Sequence, residues 1–65
     1  MFDAKALKAE MVRNGYTQKS LSEALGMSTR TFYSRLKTGD FGTVEISKMI
    51  KLLNLKNPFD IFFGD

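Results

Sequence analysis

The sequence predicts an all-α fold, a compact domain of four to five helices that occupies residues 1–65 as one unit. Apolar residues recur at helical spacing, and no stretch alternates with the two-residue period of a half-buried strand. Glycines and an Asn-Pro pair separate the helical segments. The chain has neither Cys nor His, which excludes disulfides and Cys/His zinc sites. The core of so small a domain must therefore come from closely packed helices.

The first predicted helix covers residues 3–14. Asp3 is a favourable N-cap, because its carboxylate can accept a hydrogen bond from a free N–H of the first turn. Leu7 and Met11 stand one turn apart and form the apolar stripe of this helix. Gly15 follows as the residue that ends the helix in a left-handed conformation.

The second and third predicted helices form a pair with a short turn between them. Thr17 is the expected N-cap of the second helix, and Gly26 ends it. Ser28 is the expected N-cap of the third helix, which ends near Gly39. The apolar residues expected to face inward are Leu21, Ala24, Leu25, Phe32 and Leu36. Two helices joined this tightly cross at a steep angle, and the small side chain of Ser22 favours their close approach.

A fourth helix is predicted after the loop at residues 39–42, with Thr43 as its N-cap. Its apolar positions fit a period of 3.6 residues and are Ile46, Met49, Ile50 and Leu53. Asn57 and Pro58 then predict a short fifth turn over residues 58–62, because Asn is a favourable cap and proline suits the first helical position.

The net charge of +3 is concentrated in one central segment. Residues 13–37 contain five basic residues and one acid, a net charge of +4, whereas residues 1–12 are neutral and residues 38–65 sum to −1. Such a concentration is expected of a segment that faces nucleic-acid phosphates. When only the charge is considered, an ordinary helical surface exposed to solvent explains it equally well.

The outer face of the third predicted helix favours the first explanation. This face carries hydrogen-bonding or basic side chains and no acid, and its members are Thr29, Arg30, Tyr33, Ser34 and Lys37. An ordinary surface helix usually includes Glu, which pairs with Lys one turn away. A helix that enters the major groove of DNA instead avoids carboxylates and presents groups that match base edges. If Arg30 contacts a base, guanine O6 and N7 are the expected partners.

The residues that carry a family resemblance extend along most of the chain. They are the Thr17-Gln18 opening, Leu21-Ser22, the Leu25-Gly26-Met27-Ser28 turn, Phe32, the Leu-rich fourth helix and the ending Asn57-Pro58-Phe59-Asp60-Ile61-Phe62-Phe63. On these residues the chain resembles the helix-turn-helix domains of phage repressors of the lambda/Cro type and their bacterial relatives. It departs from the common pattern by one extra residue before Gly39, and by Gly42-Thr43 where a proline often precedes the fourth helix.

The resemblance implies a transcriptional regulator that binds an operator in double-stranded DNA and excludes polymerase from an overlapping promoter. The helix-turn-helix would span residues 17–37. The resemblance implies base contacts by Thr29, Arg30 and Ser34. Tyr33, which lies on the same outer face, is a further candidate for a base contact. The resemblance also implies phosphate contacts by Gln18 and Ser28. Thr17, Lys19 and Lys37 are further candidates for phosphate contacts. Tyr33 has a second interpretation, in which its ring leans over Phe32 as part of the core.

Three phenylalanines near the C-terminus predict a dimer interface. Phe59, Phe62 and Phe63 lie within five residues, and so small a core can hardly bury all of them. Some are expected to close the core and the others to meet a second copy of the chain. A two-fold dimer would place two reading helices about 34 Å apart, which matches a palindromic operator. A monomer with an apolar tail tucked in place is the alternative.

Other classes of function have less support in the sequence. We expect no enzyme, because a nucleophilic Ser or Thr needs a base and no His is present. We also expect no cofactor, metal or small-molecule ligand, and no membrane partner. With no apolar signal segment at the N-terminus, a cytoplasmic location is expected. A protein-interaction module of the antitoxin or anti-repressor type, which would use the same face, remains the alternative function.

Overall fold

A computed structural model describes residues 1–64, which form five helices and no strand. The helices are α1 (Ala4–Arg13), α2 (Gln18–Ala24), α3 (Thr29–Thr38), α4 (Thr43–Leu52) and α5 (Pro58–Phe63). The described residues fit within 28 × 22 × 20 Å. The all-α prediction is confirmed, and the last helix extends one residue beyond its predicted end.

The predicted caps of the first three helices are confirmed. Asp3, Thr17 and Ser28 each accept a hydrogen bond from the backbone N–H three residues further on, at 3.0 to 3.1 Å. Such bonds satisfy N–H groups that have no carbonyl partner within the helix. The turn residues Gly15 and Gly39 have φ values of +77° and +74°, as expected of glycines that end helices.

The predicted cap of α4 is wrong by one residue. Gly42 occupies the N-cap position, and Thr43 is already the first helical residue. The carboxylate of Glu45 turns back and accepts the Gly42 N–H at 2.7 Å. The same oxygen accepts a hydrogen bond from Arg35 Nη1 at 3.0 Å, so an ion pair with α3 holds the capping carboxylate in place. The Asn57 side chain makes no capping hydrogen bond, although Pro58 does begin α5.

The buried core collects apolar side chains from all five helices and three connecting segments. Its members are Leu7, Met11, Leu21, Leu25, Phe32, Leu36, Phe41, Met49, Leu53, Leu55, Ile61 and Phe62. Two expectations about α2 and α4 need adjustment. Ala24 is exposed, and Ser22 is fully buried on the face that α2 turns inward. Ile46 and Ile50 are only partly buried.

The two ends of the described chain lie together. The Asp3 N–H donates to the Ile61 carbonyl at 2.7 Å, and the Met1 amino group donates to the Gly64 carbonyl.

None of the helices in residues 1–64 combines the length and the apolar character needed to cross a bilayer.

Candidate nucleic-acid interface

Residues 18–38, here called the α2–α3 unit, consist of two helices and the turn at residues 25–28. Leu21 on α2 and Phe32 on α3 are fully buried, so both helices are anchored in the core from one side. Gly26 supplies the left-handed conformation of the turn, with φ at +75°. Ser22, also fully buried, contacts α3, which confirms the prediction that a small residue lies between the two helices.

The anchoring of α3 determines which of its side chains face outward. Phe32 and Leu36 point into the core, and residues about half a turn away must therefore point to solvent. We define the α3 outer face by six of the exposed residues of α3, which are Thr29, Arg30, Thr31, Tyr33, Ser34 and Lys37. No acidic residue lies on α3. The face thus combines hydroxyl groups, one aromatic ring and two cations.

Arg30 is free to meet a ligand. Its side chain is exposed, and it makes no hydrogen bond or ion pair with another residue of the described part of the chain. It lines a surface depression together with Ser34, Thr38 and Asp40. The Asp40 carboxylate is the acid closest in sequence to this face, yet it forms no ion pair with Arg30 within residues 1–64.

Two of the five cations in residues 13–37 are paired with acids. Arg13 pairs with Glu10, one turn earlier on α1. Arg35 pairs with Glu45 on α4. The cations of the α2–α3 unit that pair with no described residue are Lys19, Arg30 and Lys37. The positive field of the unit therefore comes chiefly from these three side chains.

Tyr33 and Lys37 act together on the α3 outer face. The Lys37 Nζ lies 4.7 Å from the centroid of the Tyr33 ring, within the range of a cation–π interaction. Tyr33 is 49% exposed, which is more than a ring that forms part of the core would show. The contact holds an ammonium group and a phenol on one side of the helix.

The Thr29 hydroxyl is partly engaged inside the protein. Its Oγ1 lies 3.3 Å from the Ser22 Oγ on α2. The residue as a whole is exposed at the N-terminus of α3, which is where the sequence placed a base contact. The bond to Ser22 fixes the direction of the hydroxyl and connects α3 to α2.

The hydroxyl protons of two predicted phosphate contacts are used within the protein. Ser28 Oγ donates to Thr31 Oγ1 at 2.9 Å, and Thr17 Oγ1 donates to Ser20 Oγ at 3.2 Å. These hydroxyls cannot also donate to a phosphate in this arrangement, since each has one proton. Phosphate contact at residues 17 and 28 is then left to backbone N–H groups of the first helical turns.

Sequence reasoning missed Thr31 as a candidate contact. Its hydroxyl accepts the Ser28 proton and so keeps its own proton for an outside acceptor, and the side chain is exposed. The sequence holds a partial signal, because an N-cap side chain at Ser28 points toward the third helical residue, which is Thr31. Gln18 is partly exposed and Lys19 exposed at the start of α2, where both remain candidates.

The C-terminal phenylalanines separate into two environments. Phe59 and Phe63 are 70% and 58% exposed, and their ring centroids are 5.5 Å apart on α5. Phe62 is buried, with its ring 5.8 Å from Phe2 and 6.2 Å from Phe41. The prediction that places Phe62 in a dimer interface is therefore wrong, because its ring fills the core of its own chain.

Within residues 1–64, no three carboxylates approach each other as a metal ion would require. The α3 outer face offers donors, acceptors and positive charge on a rigid helix. Comparison with known proteins found no protein-family model, curated protein or solved structure that matches the chain.

Proposed function

We propose that this protein is a sequence-specific regulator of transcription that binds double-stranded DNA through residues 17–37. The observation that carries the proposal is the α3 outer face, which bears hydroxyls, an aromatic ring and two cations, on a helix without any acid. The major groove is about 12 Å wide and admits an α-helix whose outer side chains reach the base edges.

The proposed roles follow from the freedom of each side chain. Arg30, with no partner among the described residues, reads a guanine through O6 and N7. Thr29, Tyr33 and Ser34 contact neighbouring bases. The phosphate contacts come from Lys19, Lys37 and Gln18, together with backbone N–H groups at the starts of α2 and α3.

We propose that the protein acts as a repressor of the Cro type in the cytoplasm, as a homodimer on a palindromic operator. Phe59 and Phe63 form the exposed apolar patch through which two copies meet. A standard interface buries about 800 Å² per partner, far more than two rings provide. The dimer is therefore weak in solution and forms mainly when two copies occupy adjacent half-sites.

A salt titration of binding to duplex DNA of random sequence tests this function. Binding should weaken steeply as salt rises, with a log–log slope of about −0.9 for each phosphate contact. Lys19→Ala and Lys37→Ala should each make the slope less steep by about 0.9, the change expected when one phosphate contact is lost. Lys8→Ala removes an exposed lysine of α1 and serves as the matched control, for which we expect an unchanged slope.

Absence of DNA binding at low salt would contradict the proposal. It would favour the alternative in which the α3 outer face binds an acidic surface of another protein. Selection from a library of random duplexes then tests specificity, and two half-sites about one helical turn apart would reveal the dimer.

A further inference from the structure

The buried hydroxyl of Ser22 has a defined hydrogen-bonding state. Its side chain is 0% exposed, and its Oγ donates to the Lys19 carbonyl at 2.7 Å. The same Oγ lies 3.3 Å from Thr29 Oγ1. A hydroxyl has one proton, and that of Ser22 is used in the bond to Lys19. The proton in the Ser22–Thr29 bond must therefore come from Thr29.

The alternative direction of this bond is disfavoured by distance. If Ser22 turned its proton toward Thr29, it would give up a 2.7 Å bond for one at 3.3 Å. Full burial also denies Ser22 a water that could replace the lost partner. Thr29, with its proton held by Ser22, retains only lone pairs for a partner outside the protein.

On the basis of the proposed function, we propose that Ser22 makes Thr29 a hydrogen-bond acceptor toward DNA, and that Thr29 thereby selects a base with an exocyclic amino group. In the major groove these groups are the N6 amine of adenine and the N4 amine of cytosine. Guanine N7 and O6 and thymine O4 are acceptors, and an acceptor-only hydroxyl cannot bond to them. Ser22 is thus a positioning residue for specificity, although it does not touch DNA.

Adjacent residues of α3 then have opposite requirements. The guanidinium of Arg30 only donates hydrogen bonds and requires base acceptors, whereas Thr29 requires a base donor. Two neighbouring base positions are consequently distinguished by hydrogen-bond polarity. The buried Ser22 on α2 provides this difference, since a free threonine hydroxyl would accept either polarity.

Base analogues in the selected binding site provide the test. The position read by Thr29 is the one whose sequence preference disappears in Thr29→Val, which keeps the shape and a methyl group but loses the hydroxyl. There, purine in place of adenine, or pyrimidin-2-one in place of cytosine, removes only the amino group. We expect this change to weaken binding of the unsubstituted protein about three- to tenfold, the range of one hydrogen bond. Binding by Thr29→Val should not respond to it.

Ser22→Ala is the decisive variant, because it returns the proton to Thr29. Its sensitivity to amino-group removal should fall, and the base preference at that position should broaden to include acceptors. Circular dichroism and thermal unfolding check that the variant folds, and Thr29→Val supplies a second test with no change in the core. Dependence of the unsubstituted protein on N7, detected with 7-deazaadenine, or an unchanged amino-group dependence in Ser22→Ala would overturn the inference. Neither result would affect the salt-dependent binding on which the proposed function rests, and loss of that binding would overturn both.

Discussion

Arg30 and Arg35 lie on the same helix in opposite surroundings. Arg30 is exposed without a partner among the described residues, whereas Arg35 bonds to Glu45 at 3.0 Å and links α3 to α4. Arg35 and Glu45 are both partly buried, and their pair also holds the carboxylate that accepts the Gly42 N–H at the start of α4. The first arginine is available for recognition and the second is not.

Substitution of Arg30 should separate base reading from charge. Arg30→Lys keeps the positive charge but loses the fork that bonds to guanine O6 and N7 together. We expect affinity for random DNA to change little and discrimination at one base pair to fall by about 1–3 kcal/mol. Competition binding with single-base variants of the selected site measures this loss. Arg35→Lys, which also keeps the charge, is the matched control, and equal loss of discrimination in both variants would rule out a special role for Arg30.

The outward position of Arg30 could be predicted from sequence, but the bonding of the hydroxyls could not. Helical spacing from Phe32 identifies the outer face of α3. The pairing of Ser22 with Thr29 depends on how α2 and α3 approach each other across the turn, which no local pattern encodes. The use of the Ser28 proton by Thr31 depends in turn on side-chain rotamers.

At the scale of elements, local signals predicted the helices better than their tertiary contacts. Caps at Asp3, Thr17 and Ser28 act within a few residues and were predicted correctly. The start of α4 was misassigned by one residue, because Gly42 is the N-cap and its N–H donates to Glu45, which Arg35 holds from another helix. Ala24 was placed inward because it stands at helical spacing from Leu21, but α2 turns Ser22 inward and leaves Ala24 exposed.

Two glycines with nearly equal φ should respond differently to alanine. Gly26 and Gly39 have φ at +75° and +74°, which costs an L-residue about 1–2 kcal/mol. An added Cβ at Gly26 would meet nothing within 4 Å, whereas at Gly39 it would overlap the side chain of Phe2. Urea unfolding should therefore show a larger loss for Gly39→Ala than for Gly26→Ala. Equal losses would mean that Phe2 moves aside without cost.

At the scale of the whole molecule, the phenylalanines divide between the core and the surface. Phe2 and Phe41 surround Phe62, so residues distant in sequence close the core near the end of the chain. The excess of C-terminal apolar residues was visible in the sequence. Which of these residues is buried depends on the contact between Phe2 and Phe62. The spacing of residues near the C-terminus cannot predict that contact.

Removal of the exposed rings should affect association and leave the fold intact. The double variant Phe59→Gln, Phe63→Gln should unfold at nearly the same urea concentration as the unsubstituted protein, since both rings are largely exposed. Sedimentation at high concentration, or on a two-site duplex, should show loss of the dimer. Phe62→Ala should instead cost about 3–5 kcal/mol, enough to unfold so small a domain. If the double variant sediments with the same proportions of monomer and dimer as the unsubstituted protein, this patch is excluded as the interface.

Amide chemical shifts of the ¹⁵N-labelled protein, recorded with and without duplex DNA carrying the selected site, show which residues contact DNA. We expect the largest changes at residues 28–37 and at the start of α2, with the exposed residues of α1, such as Val12, almost unaffected. Changes at Phe59 and Phe63 would report the dimer and are compatible with this result. A spectrum in which α1 responds and α3 does not would contradict the claim that the α3 outer face contacts DNA.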